Sequence, residues 1–133
     1  MLASRNIRSI IPRAYCSDST YNTPSVEWVE SVFKSYKTLA VWMRIFRWRE
    51  HHDCDDKATM FRCVACAKWA QPKERPAQGV AVGEVHYMPD AGGAHAINII
   101  ILPNEVVKYV EPQGPKWVEL SKSEIDSIFF VRF

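Results

Sequence analysis

"GGAHAINIIILPNEVVKYVEPQG", Gly92–Gly114, is the stretch on which the reading of the fold turns. It holds two β-rich runs, "HAINIIIL" and "VVKYVEP", separated only by "PNE". If Leu102 and Val106 close a hairpin over the three-residue loop Pro103–Glu105, Ile97 lies opposite Glu111 and His95 opposite Gln113. Side chains alternate between faces along a strand, so this register puts His95, Glu111 and Gln113 on one face. A loop one residue shorter would send Glu111 to the other face. Pro112 offers no N–H to a ladder and suits a strand end or an edge.

Downstream, "KWVEL" (Lys116–Leu120) and "IFFVRF" (Ile128–Phe133) are further short strands, and "VAVGEVHYM" (Val80–Met88) is one upstream. The terminal run is too apolar for a tail and is expected in the core. Turn-forming "PDAGG", "QGP" and "SKSEIDS" divide these runs into a mostly antiparallel meander of about five strands.

Before the strands the period changes. In "VEWVESVFKSYKTL" (Val26–Leu39), Val29, Val32, Phe33 and Tyr36 recur at helical spacing behind a capping Ser25. "AVWMRIFRWRE" (Ala40–Glu50) reads as continued helix or an extended connector. A second helix is expected from about Asp53 to Trp69, with Cys54, Ala58, Phe61, Ala65 and Trp69 on its inner face. "QPKERPAQG" (Gln71–Gly79) stops it. The class is therefore α+β, a single domain over 1–133 with N-terminal helices packed on an antiparallel sheet.

Composition agrees with one core: 133 residues, 47% of them hydrophobic. The net charge of +2 divides into +4 over residues 1–50 and −2 over the rest. Neither part is charged enough to point to nucleic acid or a membrane surface, and no apolar run reaches the roughly 18 residues of a span. The N-terminal "MLASRNIRSIIPRAY" has arginine and serine without acids, a mild likeness to a transit peptide, but reads as ordinary domain sequence. Cys16, Cys54, Cys63 and Cys66 are too few for a disulfide scaffold and read as free thiols in a reducing, cytoplasmic compartment.

"HHDCDDKATMF" (His51–Phe61) carries the candidate chemistry. A helix N-terminus presents unpaired N–H groups and about half a positive charge, which favours Asp53, Asp55 and Asp56 and lowers the pKa of a thiol. Cys54 on the inner face could then meet His95, with Glu111 or Gln113 fixing the imidazole. Thiol, imidazole and carboxylate are the parts of a nucleophile–base–orienter set, with the Cys54 N–H as oxyanion donor.

At these residues the chain resembles small bacteriophage and bacterial proteins, often labelled lectin-like or papain-like, of the transglutaminase/papain-type cysteine-peptidase fold. The segments that carry the resemblance are "TPSVEWV", "DCDDKA", "AVGEVHYMPDAGGAHAINIIIL", "YVEPQG" and "FFVRF". It implies Cys54 as nucleophile, His95 as base and the "EPQ" segment, Glu111 or Gln113, as source of the third residue. Lys57 departs from the pattern, standing where an aromatic is expected, and is expected to point off the Cys54 face. The implied activity is a cysteine-dependent hydrolase or acyltransferase acting on an amide in a peptide, an isopeptide or a cell-wall cross-link. The alternative is a non-catalytic phage binding or host-interaction module on the same fold. Partners would be a peptide or protein substrate or a host protein, inside the bacterial host cell or on the virion. No cofactor and no metal is implied.

Other residues have competing readings. Cys63 and Cys66 form a CxxC, but mid-helix rather than on a zinc knuckle, and read as core packing. His51 and His52 are alternative bases with awkward reach. His86 and Glu84 share a strand face at the cleft rim. Trp42, Phe46 and Trp48 interleaved with Arg44, Arg47 and Arg49 would suit single-stranded nucleic acid, or an amphipathic segment whose arginines reach for water.

Overall fold

The computed structural model describes residues 4–45, 47, 49, 52–72 and 78–133. Helix α2 (Val26–Trp42) starts where Ser25 accepts the Trp28 N–H at 3.2 Å, and it buries Val29, Val32, Tyr36 and Ala40. It ends before Arg44, whose φ of 57° is left-handed and turns the chain. Helix α3 (Cys54–Ala70) buries Lys57, Ala58, Phe61, Ala65 and Trp69. The two helices pack through aromatic rings, with Phe61 5.4 Å from Tyr36 and 5.9 Å from Phe33, and Trp28 edge-on to Trp69 at 5.1 Å.

The main sheet contains β4 (Val82–Tyr87), β5 (His95–Leu102), β6 (Val106–Glu111), β7 (Lys116–Val118) and β8 (Phe130–Arg132), in the order β7-β6-β5-β4-β8. All its pairings are antiparallel. The β5–β6 hairpin has Leu102 opposite Val106 and Asn98 opposite Val110, closed by a 3-10 turn at Pro103–Glu105. That turn stands on two left-handed residues, Asn104 at φ 62° and Glu105 at φ 64°.

The run "INIIIL" is apolar on both faces because both are covered. Ile100 and Leu102 join Val82, Val110 and the two long helices in one core. Ile97, Ile99 and Ile101 join Val85, Val131, Phe133 and the N-terminal Ile7 and Ala14 in another. The N-terminal part supplies that second cover: β1 (Ser4–Arg5), α1 (Ile7–Ile10) and β2 (Tyr21–Asn22), the last parallel to β3 (Gly79–Val80). Ala81 links the small sheet to the large one, donating to Asn22 O and accepting from Ile101 N.

These observations correct the expected papain-like or transglutaminase-like plan of helices on about five strands. Among the described residues there are eight strands in two sheets and four α-helices. The segment before α2, expected to hold only a loop at Ser17–Ser25, contributes two strands and a helix because Ile7, Ala14 and Tyr21 must cover the second sheet face. The sheet is also not a simple meander, since β8 returns to pair with β4 and leaves β7 at an edge.

Polar groups clamp α3 to the sheet. Arg132 Nη2 on β8 donates to both oxygens of Glu84 on β4, at 2.7 and 2.9 Å, and Thr59 of α3 donates to Glu84 Oε2 at 3.2 Å. The fully buried Asn98 donates to Ala58 O at 2.8 Å and to Gly83 O at 3.0 Å. Gly83 is required here: a Cβ would lie 2.5 Å from Arg132 O and 3.1 Å from Ile99 Cγ2. Gly83→Ala is expected to cost about 1–3 kcal/mol through overpacking, read as a lower urea midpoint at unchanged slope.

Candidate functional site

The candidate site forms where the start of β5 meets the end of β6. His95 opens β5, and its Nε2–H donates to Glu111 Oε2 at 2.7 Å. Glu111 Oε1 accepts the Gln113 backbone N–H at 2.9 Å. Burial pushes the Glu111 carboxyl up, but the bonds from His95 and Gln113 and the charges of His95 and Lys116 outweigh it and hold the group below its ordinary value. Of the two candidates, Glu111 is the one hydrogen-bonded to the imidazole. Gln113 contributes its backbone, and its side-chain amide makes no hydrogen bond among the described residues. With Nε2 engaged, Nδ1 of His95 is the ring nitrogen left for a ligand.

The surroundings keep this pair rigid on one side and open on the other. The Tyr87 ring stands edge-on to His95 at 5.9 Å. Burial, together with the nearby carboxylates of Glu124 and Glu111, pushes the Tyr87 hydroxyl up to about 12, so it remains a donor. Before His95, Gly92 and Gly93 are left-handed at φ 89° and 77°, and a Cβ on either would meet nothing within 4 Å. A side chain there would be strained for lack of a permitted conformation, not of space.

Cys54 is the first residue of α3 and is half-buried. Lys57 and Tyr87 each feel both the Cys54 sulfur and the Glu111 carboxylate, which sets Cys54 in the same neighbourhood as the imidazole–carboxylate pair. Its thiol makes no hydrogen bond among the described residues, to His95 or to any other group. Two of the three expected groups are joined, and no hydrogen bond links Cys54 to them among the described residues. Beside Cys54, Asp53 and Asp55 share a hydrogen bond that raises the first carboxyl and lowers the second. Their ligand atoms and the Cys54 sulfur all lie within 4.8 Å of one another, so these three residues could together hold a metal ion.

Lys57 does not point away as expected. It is 1% exposed, and its ammonium donates only to Ile45 O at 3.4 Å. Three residues past Cys54, it lies on the same side of the helix. Burial pushes its pKa down, against the pull of Glu111, Asp53 and Cys54. Lys57→Met is expected to raise stability by about 1–2 kcal/mol at neutral pH, because an incompletely paired buried charge is exchanged for an apolar chain. The unfolded chain holds this proton more tightly than the folded one, so the penalty lies fully on the acid side of the folded value. It is relieved as pH rises from the folded towards the unfolded value. The gain from Lys57→Met should therefore shrink in alkaline urea titrations.

The remaining candidates are placed elsewhere. Glu84 is buried in its ion pair with Arg132 and is not at a rim. His86 packs its ring on Phe130 at 4.9 Å and Phe129 at 6.0 Å. His52 pairs through its backbone with Arg49. Cys63 and Cys66 are exposed on α3, not in the core. Trp42 is exposed beside Met43 and Arg44, while Phe46, Trp48, Glu50, His51 and residues 73–77 lie outside the described residues.

No family model matches the chain, and no curated protein matches it. Solved structures do. The chain in a PSL1a–E64 complex aligns with 98% of this one at 21% identity and a TM-score of 0.77. Polyporus squamosus lectin, bound to the human-type influenza-binding epitope Neu5Acα2-6Galβ1-4GlcNAc, aligns with 98% at 22% identity and a TM-score of 0.76. The chain is similar in fold to half of a lectin. It spans 51% and 49% of the length of the two solved chains.

The likeness to the lectin overturns the resemblance drawn from the sequence. One neighbour carries a lectin's name, and neither carries that of a bacteriophage papain-like or transglutaminase-like family. The reading as a hydrolase, thiol protease or acyltransferase with a catalytic triad is corrected with it. No described helix is long and apolar enough to cross a membrane.

Proposed function

We propose that this chain is a binding module whose partner is a glycan or a glycan-bearing protein, held at the rim formed by His95, Glu111 and Gln113 with Cys54 beside them. The observation that carries the reading is the likeness, over nearly the whole chain, to a lectin bound to Neu5Acα2-6Galβ1-4GlcNAc. The site chemistry supports it. A carboxylate that fixes an imidazole, a free ring nitrogen and an unbonded amide are directional donors and acceptors suited to sugar hydroxyls. The open Gly92–Gly93 turn leaves room for a bulky polar ligand.

A glycan array tests this. The folded chain is expected to retain a defined glycan set, and Glu111→Gln, which weakens the hold on His95, to lose most of that signal at unchanged near-UV circular dichroism. A folded chain that retains no glycan would refute the reading.

A second reading rests on the E64 in the PSL1a complex. This reading assigns such a ligand to Cys54, whose thiol is half-buried and makes no hydrogen bond among the described residues. E64 is then expected to raise the melting temperature of the wild type and not of Cys54→Ala, since a ligand stabilises only a fold that holds it. Equal responses would remove Cys54 from the site.

A further inference from the structure

The two faces of the main sheet are covered unequally. Two 17-residue helices close one face. The other is covered by the four residues of α1 and the five of α4 (Lys122–Asp126) with the segments beside them. The gap is a cavity of about 590 Å³, floored by Ile99, Val107 and Tyr109 and walled by Ile11, Ile128 and Phe129. That size falls among small-molecule sites.

Two polar groups interrupt the apolar lining. Arg13 is the one charged residue among those that line the cavity, and it makes no ion pair or hydrogen bond with any described residue. The Tyr109 hydroxyl is likewise without a partner among them, and burial pushes its pKa up, so it remains a donor. An unpaired cation and an unpaired donor beside a greasy pocket select for an apolar body with one anionic end. A sugar would leave its hydroxyls unpaired against the isoleucines, at a cost per group that the pocket cannot return.

We propose that this cavity binds a small amphipathic anion, an aliphatic or aromatic body carrying a carboxylate or sulfonate, with the anion at Arg13 and Tyr109 and the body over Ile99 and Val107. The site shares no lining residue with the His95–Glu111 rim, so it stands whatever binds there.

The probes are 8-anilinonaphthalene-1-sulfonate, decanoate and the neutral dye Nile red. The full chain, with its near-UV circular dichroism unchanged, is expected to bind the sulfonate saturably at one site, and decanoate to displace it. Arg13 is exposed, so Arg13→Glu should fold normally. It should weaken both anions about tenfold, as loss of one favourable charge contact does, while Nile red binding changes less than about twofold. Phe129→Ala, at an exposed rim position, should weaken all three probes. The proposal is overturned by absence of saturable anion binding to the folded wild type, or by an Arg13→Glu variant that binds the anions as the wild type does. It is also overturned by a dimer whose formation abolishes dye binding, which would give this face to a second copy of the chain.

Discussion

Phe61→Ala is expected to destabilise the protein by about 4 kcal/mol, within the range for removing a buried aromatic ring. Phe61 is fully buried on α3, and its ring meets Tyr36 and Phe33 of α2, so it joins the two helices to each other before either meets the sheet. The loss has two parts: the transfer free energy of the ring and the cavity it leaves. Tyr36 and Phe33 are anchored on one rigid helix and can close that cavity only in part. Urea unfolding followed by tryptophan fluorescence measures the effect. A loss below about 1 kcal/mol would mean that the α2–α3 contact is not the packed core described here.

Glu84→Leu is expected to cost about 2–3 kcal/mol, at the low end for breaking a buried ion pair. Glu84 is buried, whereas the Arg132 side chain is 41% exposed and can recover part of its hydration. The substitution also strands the Thr59 hydroxyl, which donates to Glu84, and thereby loosens α3 from β4. Glu84→Gln keeps an acceptor for Arg132 and Thr59 and should lose about half as much. The double variant Glu84→Leu with Arg132→Met should regain much of the single loss, because an apolar pair of similar volume replaces two charges. If the double variant is no better than Glu84→Leu, the ion pair is not what holds β8 and α3 against β4.

Much of the local structure was legible in the sequence, and the reasons are specific. The β5–β6 register follows from the short loop between Leu102 and Val106, and with it the sharing of one face by His95 and Glu111. The starts of both long helices follow from Ser25 and from the acidic run at Asp53, Asp55 and Asp56. What was not legible is non-local. Strands β1, β2 and β3 are two residues each, too short for any period, and exist because distant backbone groups need partners. Nothing in "IFFVRF" says that it pairs with β4 in preference to β7. The burial of Lys57 runs against its charge and follows from helical geometry, and the exposure of Cys63 and Cys66 runs against the apolar habit of cysteine.

The site was legible in part. The imidazole–carboxylate pair could be reached from strand alternation, and the choice of Glu111 over Gln113 could not, since it depends on which atom of Gln113 turns inward. The hydrolase reading joined Cys54 to that pair by analogy, and a hydrogen bond between them is what the folded chain does not make. Nor could Arg13 and Tyr109 be seen as neighbours of one cavity, because the N-terminal segment's docking on the sheet is itself non-local.

The central claim is that a ligand is read at the His95–Glu111 rim. Its most direct test is a titration of isotope-labelled protein with Neu5Acα2-6Galβ1-4GlcNAc and with array-selected glycans, following the His95 ring and the Gln113 amide by nuclear magnetic resonance. Saturable shifts confined to the start of β5, the end of β6 and the Gly92–Gly93 turn are predicted, and Glu111→Gln should abolish them. Saturable shifts that map elsewhere on the fold, or none with any glycan, would contradict it.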